Sequence, residues 1–251
     1  MAICVSGSHT LFVNRSNLKT AAVMSREKKM RVQYDLKQGK SRNFHELPSG
    51  LSMEVIVQKG AEKNTNVEYP PMVFVHGSYY AAWCWAEHWL PFFSSSGHDC
   101  YAISLLGQGE SDSLADSVAG ALQKIYTQSL KELSLFALYL LLVIGVISFP
   151  SQLLLSRYQE LMKESSRMSL FDLRKLNASL PVPSVTNCPF EILVMDAKDD
   201  FIVDTEGLVE TAKFYDVSPV SVEAVAHDMM LDVSWEKGAK VILSWLKGLE
   251  K

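Results

Sequence analysis

Acidic residues are absent from the first 26 positions of this 251-residue chain, where Glu27 is the first carboxylate. Cysteine is scarce as well. Cys4, Cys84, Cys100 and Cys188 form no CxxC pair and are too scattered for a disulfide scaffold, a zinc ribbon or a thioredoxin motif. There is no P-loop, no GxGxxG behind a strand, no EF-hand and no HExxH. Nucleotide, calcium and zinc-protease chemistry therefore have no carrier, and neither a cofactor nor a metal is expected. A net charge of −4 and a pI near 5.9 exert no global pull on nucleic acid. Hydrophobic residues at 48% and charged residues at 21% are those of an ordinary globular protein, which excludes a disordered chain, a coiled coil and a multi-span membrane protein.

That average conceals a split. Residues 1–45 carry nine Lys or Arg against Glu27 and Asp35, while the other 206 residues hold 15 basic and 26 acidic side chains. Ser6, Ser8, Ser16 and Ser25 punctuate Arg15, Lys19 and Arg26. A basic, serine-containing, acid-poor head has the composition of an organelle transit peptide. No Arg-rich amphipathic helix is evident, which favours the chloroplast over the mitochondrion. On this reading residues 1–45 are a disordered address and the folded domain is 46–251.

From Leu51 onward the chain alternates between strand-like and helix-like stretches. SMEVIVQ (52–58), PMVFV (71–75), DCYAISL (99–105), FEILVM (190–195) and 218–225 read as strands. Helices are expected over 81–90, stopped by Pro91, then over 207–214 and 235–249. Such alternation predicts an α/β fold, a parallel sheet flanked by helices, with its chemistry in loops at the carboxyl ends of strands. Three such loops carry reactive residues. VFVHGSYYAAWCW (73–85) offers Gly77 and the amides after it. VMDAKDDFIVD (194–204) offers Asp199 or Asp200, and VAHDMMLD (225–232) offers His227. Asp followed by His is the chain order of the last two members of a Ser–Asp–His triad. Against this, a lone strand-end His is commonly structural, and the acidic loop could simply cap a helix. Cys84 and His88, four apart, fit core packing better than a metal.

HGSYYAAWCWAEHWLPFF, YAISLLGQGESD, DAKDDFIVD and AHDMMLDVSW together resemble the α/β-hydrolase superfamily, above all plant serine esterase and lipase-like members. The resemblance covers about 51–122 and 157–250. It implies an ester or acyl hydrolase acting on a small molecule. It also implies that Ser78 lends a backbone amide to an oxyanion hole, that Asp200 is the triad acid through its D-x-x-V spacing, with Asp199 as the fallback, and that His227 is the general base. The stretch 157–183 resembles the end of a cap over the site.

The nucleophile is missing. A Gly-x-Ser-x-Gly elbow occurs nowhere in the chain. The resemblance places the elbow within 113–156, and the closest imitation in that interval, GVISFP (145–150), sets Ser148 before bulky Phe149 and Pro150, which obstruct the turn. An apolar block occupies the interval, and 133–156 holds no charged residue over 24 positions. Its length suffices for a membrane span. A span there would set two halves of one sheet on opposite sides of a bilayer, where their strands could not pair. The domain is thus expected to be interrupted over 124–156 and to lack central strands, as in a splice variant of a hydrolase. Such a form is expected to be inactive, the alternatives being a catalytically silent binding protein or a membrane-tethered variant.

Overall fold

A computed structural model describes residues 2–5, 29–62, 69–113, 152–166 and 191–249. The chain divides into two compact units, Asn14–Leu170 and Met1–Val13 with Phe171–Lys251.

The Asn14–Leu170 unit holds strands β2 (Lys40–Glu46), β3 (Ser52–Gln58), β4 (Met72–Val75) and β5 (Cys100–Ile103), in the sheet order β2-β3-β5-β4. The β4–β5 pair is parallel, while β2–β3 and β3–β5 are antiparallel, so the sheet is mixed where a parallel one was expected. The connection from Glu46 to Ser52 explains the first antiparallel pair. It closes on itself through Gly50 N–H to Leu47 O at 2.8 Å, and so short a link can only reverse the chain. Gly50 sits at φ +81°, a conformation that suits glycine.

Strand β2 straddles the boundary expected at residue 45. KSRNFHE is polar, and its side chains lie half-buried or exposed at a sheet edge, so it lacks the apolar alternation of an inner strand. The body begins earlier still, because Met30 and Tyr34 are buried and the amides of Lys29 and Met30 donate to the Glu110 carboxylate. Residues 29–46 are thus packed into this unit.

The helical stretch expected over 81–90 is two short helices, α1 (Trp83–Ala86) and α2 (Trp89–Ser95). Pro91 does not stop the second. It sits in the first turn, where its missing N–H has no intrahelical partner to lose. Phe74 of β4 meets Trp85 at 5.5 Å, Phe93 at 5.7 Å and Trp89 at 6.5 Å between ring centroids, and Cys84 is fully buried alongside. Helix α3 (Gln152–Ser165) adds Tyr158, stacked on Trp83 at 5.7 Å, and Leu161. Residues 152–156, the end of the apolar block, thus open α3. The rest of that block, with Ser148, lies outside the described residues. Among the described residues no helix is long and apolar enough to cross a membrane.

The GQGESD loop is tied into this unit by buried polar groups. Glu54 of β3 is buried and accepts from Arg42 Nε at 2.7 Å, Ser104 Oγ at 2.6 Å and Glu110 N at 3.0 Å. Ser111 Oγ donates to Ser104 O and accepts from Glu54 N. Gly109 N donates to Ser165 O at 2.8 Å, tying the loop to the end of α3.

In the other unit the strand order is β1-β6-β7. Strand β6 (Glu191–Ala197) pairs with β7 (Val220–Val222) in parallel and with β1 (Ala2–Val5) antiparallel. Asp204 caps α4 (Thr205–Phe214) by accepting from Gly207 N at 2.9 Å, and Leu208 and Ala212, four apart on its inner face, pack on Val194. The closing helix α5 (Glu236–Leu249) buries Ala239, Ile242 and Leu246 on one stripe.

A methyl group at position 109 would stand 2.6 Å from Glu54 Oε2 and 2.7 Å from Ser104 Oγ, on a backbone at φ +53°. Gly109→Ala should therefore destabilise the Asn14–Leu170 unit by about 2–3 kcal/mol. Gly39→Ala, also at positive φ but with nothing within 4 Å, should lose only about 1 kcal/mol. Chemical denaturation of the two variants checks the difference. Equal losses would mean that the crowding at Glu54 carries no weight.

Candidate active site

The loop after β6 is built around one carboxylate. Asp200 N–H donates to Ala197 O at 3.1 Å, closing a turn at the strand's end. Asp200 Oδ1 then accepts from the amides of Ile202 at 2.7 Å and Val203 at 3.0 Å. This leaves Oδ2 for a partner elsewhere in the unit, and Phe201, Ile202 and Val203 stand exposed around the turn.

That partner comes from the loop after β7. Ala224 takes a left-handed conformation at φ +54°, and the buried pair Val225 and Ala226 follows. Val225 O accepts from Asp199 N at 3.1 Å, and Val222 O accepts from Lys198 N at 2.9 Å, so the two loops are laced together along their backbones. The next residue is His227. Its Nδ1 donates to Asp200 Oδ2 at 2.7 Å, with the carboxylate side chain 7% exposed and the imidazole 32% exposed.

Among the described residues nothing hydrogen-bonds His227 Nε2. With Nδ1 carrying the proton towards the carboxylate, Nε2 holds the free lone pair of the neutral ring. That is the tautomer a general base requires, and a buried carboxylate is the group that selects it.

The electrostatics agree with the geometry. Burial alone would push the Asp200 carboxyl upward, but the His227 bond and the Val203 and Ile202 amides outweigh it and hold the group below its ordinary value. Burial would likewise push His227 down. The Asp200 bond and the nearby charge of Asp228 reverse that and hold the imidazole above its ordinary value.

Of the two acids left open by the sequence, Asp200 makes the bond. Asp199 is exposed, and among the described residues only its backbone amide is bonded. The residue that sequence reasoning passed over is Asp232. It is 5% exposed and accepts from Ala226 N at 3.0 Å and Ser234 N at 2.6 Å. Its signal was present in VAHDMMLD, five residues beyond His227 and just before α5, but the stretch drew attention for its histidine.

Ser78 belongs to the Asn14–Leu170 unit, on an exposed turn after β4. The turn is shaped by Tyr79 at φ +68° and by His76, whose Nδ1 donates to Gly77 O at 2.7 Å while Nε2 accepts from Leu105 N at 3.0 Å. Downstream, Ala82 N donates to Ser104 Oγ at 2.9 Å.

An acid beyond β6, a base beyond the parallel neighbour β7, and the pair joined at Nδ1 complete the architecture. The unit of Met1–Val13 and Phe171–Lys251 thus carries an Asp–His pair at the carboxyl ends of two parallel strands.

No family model matches the chain, and no curated protein does. Solved structures similar to it include the Cif epoxide hydrolase from Acinetobacter nosocomialis, with 23% identity over 39% of this chain and a TM-score of 0.28. The chain spans only 28% of that enzyme's length. It is also similar to E-2-(acetamidomethylene)succinate hydrolase, with 14% identity, 83% of this chain and 99% of the other covered, and a TM-score of 0.46. Thermogutta terrifontis esterase 2 in its apo form shows 13% identity, with 87% of this chain and 98% of the other covered, at a TM-score of 0.44. With likenesses this distant, the reading of the site rests on its own residues.

The pair has a pH signature. His227, raised above 6.5, contributes stability that is complete below 6.5 and is lost as pH rises through its folded value. Asp200, lowered below 3.8, contributes stability present above 3.8 and lost as pH falls through its folded value. The pair should therefore stabilise most between those limits. In a titration followed by NMR, the His227 ring should protonate above 6.5, and in Asp200→Asn at a clearly lower pH. An unchanged titration in that variant would deny the coupling.

Proposed function

We propose that this chain is an α/β-hydrolase-fold protein of the ester or acyl hydrolase type, with a small-molecule ester as its substrate class. His227 is the general base and Asp200 orients it. The 2.7 Å bond from His227 Nδ1 to Asp200 Oδ2 carries the proposal. Its support is that this bond fixes the tautomer which leaves Nε2 able to take a proton, the task of the base in acyl transfer.

In a complete triad, a serine oxygen attacks the carbonyl carbon as Nε2 removes its proton. The proton then passes to the leaving oxygen, and water releases the acyl group by the same route. Here the chain supplies the base and its orienting acid but no Gly-x-Ser-x-Gly serine to attack. We therefore read this form as one without acyl-enzyme turnover.

Removing a triad nucleophile reduces turnover on the order of 10⁶-fold. Purified protein should accordingly leave a p-nitrophenyl ester unhydrolysed beyond background, and a fluorophosphonate probe should label no serine. Covalent labelling, mapped by mass spectrometry, would identify a nucleophile outside the elbow pattern and overturn the inactive reading. His227→Ala would then show whether that nucleophile depends on the proposed base, since a dependent serine loses its labelling in the variant.

A further inference from the structure

His227 stands in a stretch with no helix or strand of its own, between the end of β7 at Val222 and the start of α5 at Glu236. A general base must be held to within a fraction of an ångström, so something has to fix this backbone. Val225, Ala226, Met229, Met230 and Leu231 are buried, which anchors the segment without aiming it, because apolar contact is not directional.

Asp199 N–H donates to Val225 O and Lys237 Nζ donates to the carbonyls of Glu223 and Ala224 upstream, and the directional contacts next to the histidine converge on Asp232. Its Oδ1 accepts from Ser234 N at 2.6 Å and its carbonyl accepts from Trp235 N at 3.1 Å, a local turn that leads into α5. Its Oδ2 reaches back six residues to Ala226 N at 3.0 Å, the amide immediately before His227. From inside the same loop, Leu231 N and Asp232 N both donate to Asp228 O, at 2.8 and 3.1 Å. A carboxylate bonded to two amides in a buried setting is a strong, geometrically specific acceptor. A mere entry into α5 would need only the bonds to Ser234 and Trp235. The one to Ala226 serves the histidine.

We infer that Asp232 is a positioning residue for His227, clamping the Ala226 amide so that the imidazole meets Asp200. This rests on the proposed role of His227 as base. Of the charged groups acting on the imidazole, Asp200 and Asp228 raise its protonation pH and the chain's amino terminus lowers it. Asp232 acts instead through the backbone.

The test uses the full chain and NMR of the His227 ring, recording its protonation pH and the low-field proton of the Nδ1–H to carboxylate bond. In folded Asp232→Ala the low-field signal should vanish and the protonation pH should fall back towards the ordinary 6.5. Asp232→Asn keeps one acceptor oxygen and should retain part of both. A variant that is less stable yet keeps both signatures would overturn the inference, since helix entry alone would then explain Asp232. Should Asp232→Ala fail to fold, amide hydrogen exchange in the unaltered protein decides. The Ala226 amide should be protected as strongly as the amides of β7, and exchange at the rate of an open loop would refute the clamp. If instead the unaltered protein lacks the low-field proton and the raised protonation pH, the reading of His227 as an oriented base fails, not the clamp.

Discussion

Taking a carboxylate such as Glu54 out of water costs several kcal/mol, and only close donors offset that cost. Glu54 has three, the Arg42 guanidinium, the Ser104 hydroxyl and the Glu110 amide, and each belongs to a different segment of the Asn14–Leu170 unit. One charge therefore ties strand β2, the end of β5 and the GQGESD loop to β3. Glu110 repeats the device on a smaller scale, accepting from the amides of Lys29 and Met30 and from the Gln33 side chain. Breaking such a set leaves a buried charge without compensation, which makes the arrangement all-or-none.

The same logic builds the Asp–His site. Asp200 and Asp232 each divide their two oxygens, one turned to the amides of their own turn and one to the loop that carries His227. On the proposed reading, the local half shapes each turn and the distant half sets its aim. This division is needed because the parallel pair β6–β7 delivers both residues to one end of the sheet but leaves their loops without a ladder of their own.

How much of this was legible beforehand depended on burial. Strands β3 and β6 announce themselves because residues on both faces are buried, giving apolar runs that end at turn residues. Strand β2 does not, because an edge strand with Lys40, Arg42 and Glu46 has no reason to be apolar, and the bond from Arg42 to Glu54 is invisible until the chain is folded. Pro91 misled for a related reason, since a proline is a stop signal only beyond the first helical turn. At the site, the order Asp then His was readable, and so was the pair Asp199–Asp200. Which acid turns inward depends on a single peptide's orientation at the end of β6. The role of Asp232 depends on a contact between residues six apart, in a loop without periodicity. The nucleophile region cannot be compared in this way, because Ser148 and most of 124–156 fall outside the described residues.

A structural reading of the strand-end histidine, the sober alternative at the outset, has a test case within the same chain. His76 also follows a strand, and it is 4% exposed with both ring nitrogens bonded to backbone, Nδ1 to Gly77 O and Nε2 to Leu105 N. Burial outweighs the Gly77 bond and lowers its protonation pH, so it stays a neutral strut. His227 differs on each count. Its bonded nitrogen faces a carboxylate instead of a carbonyl, its ring is about a third exposed, and its protonation pH moves up. A strut gains nothing from an exposed edge or from a charge partner held in place by two further amides. A base needs both, one for reach to the reacting proton and one to stabilise the imidazolium that forms. The contrast between two histidines at two strand ends therefore favours chemistry for His227, even in a chain whose sequence offers that base no elbow serine to activate.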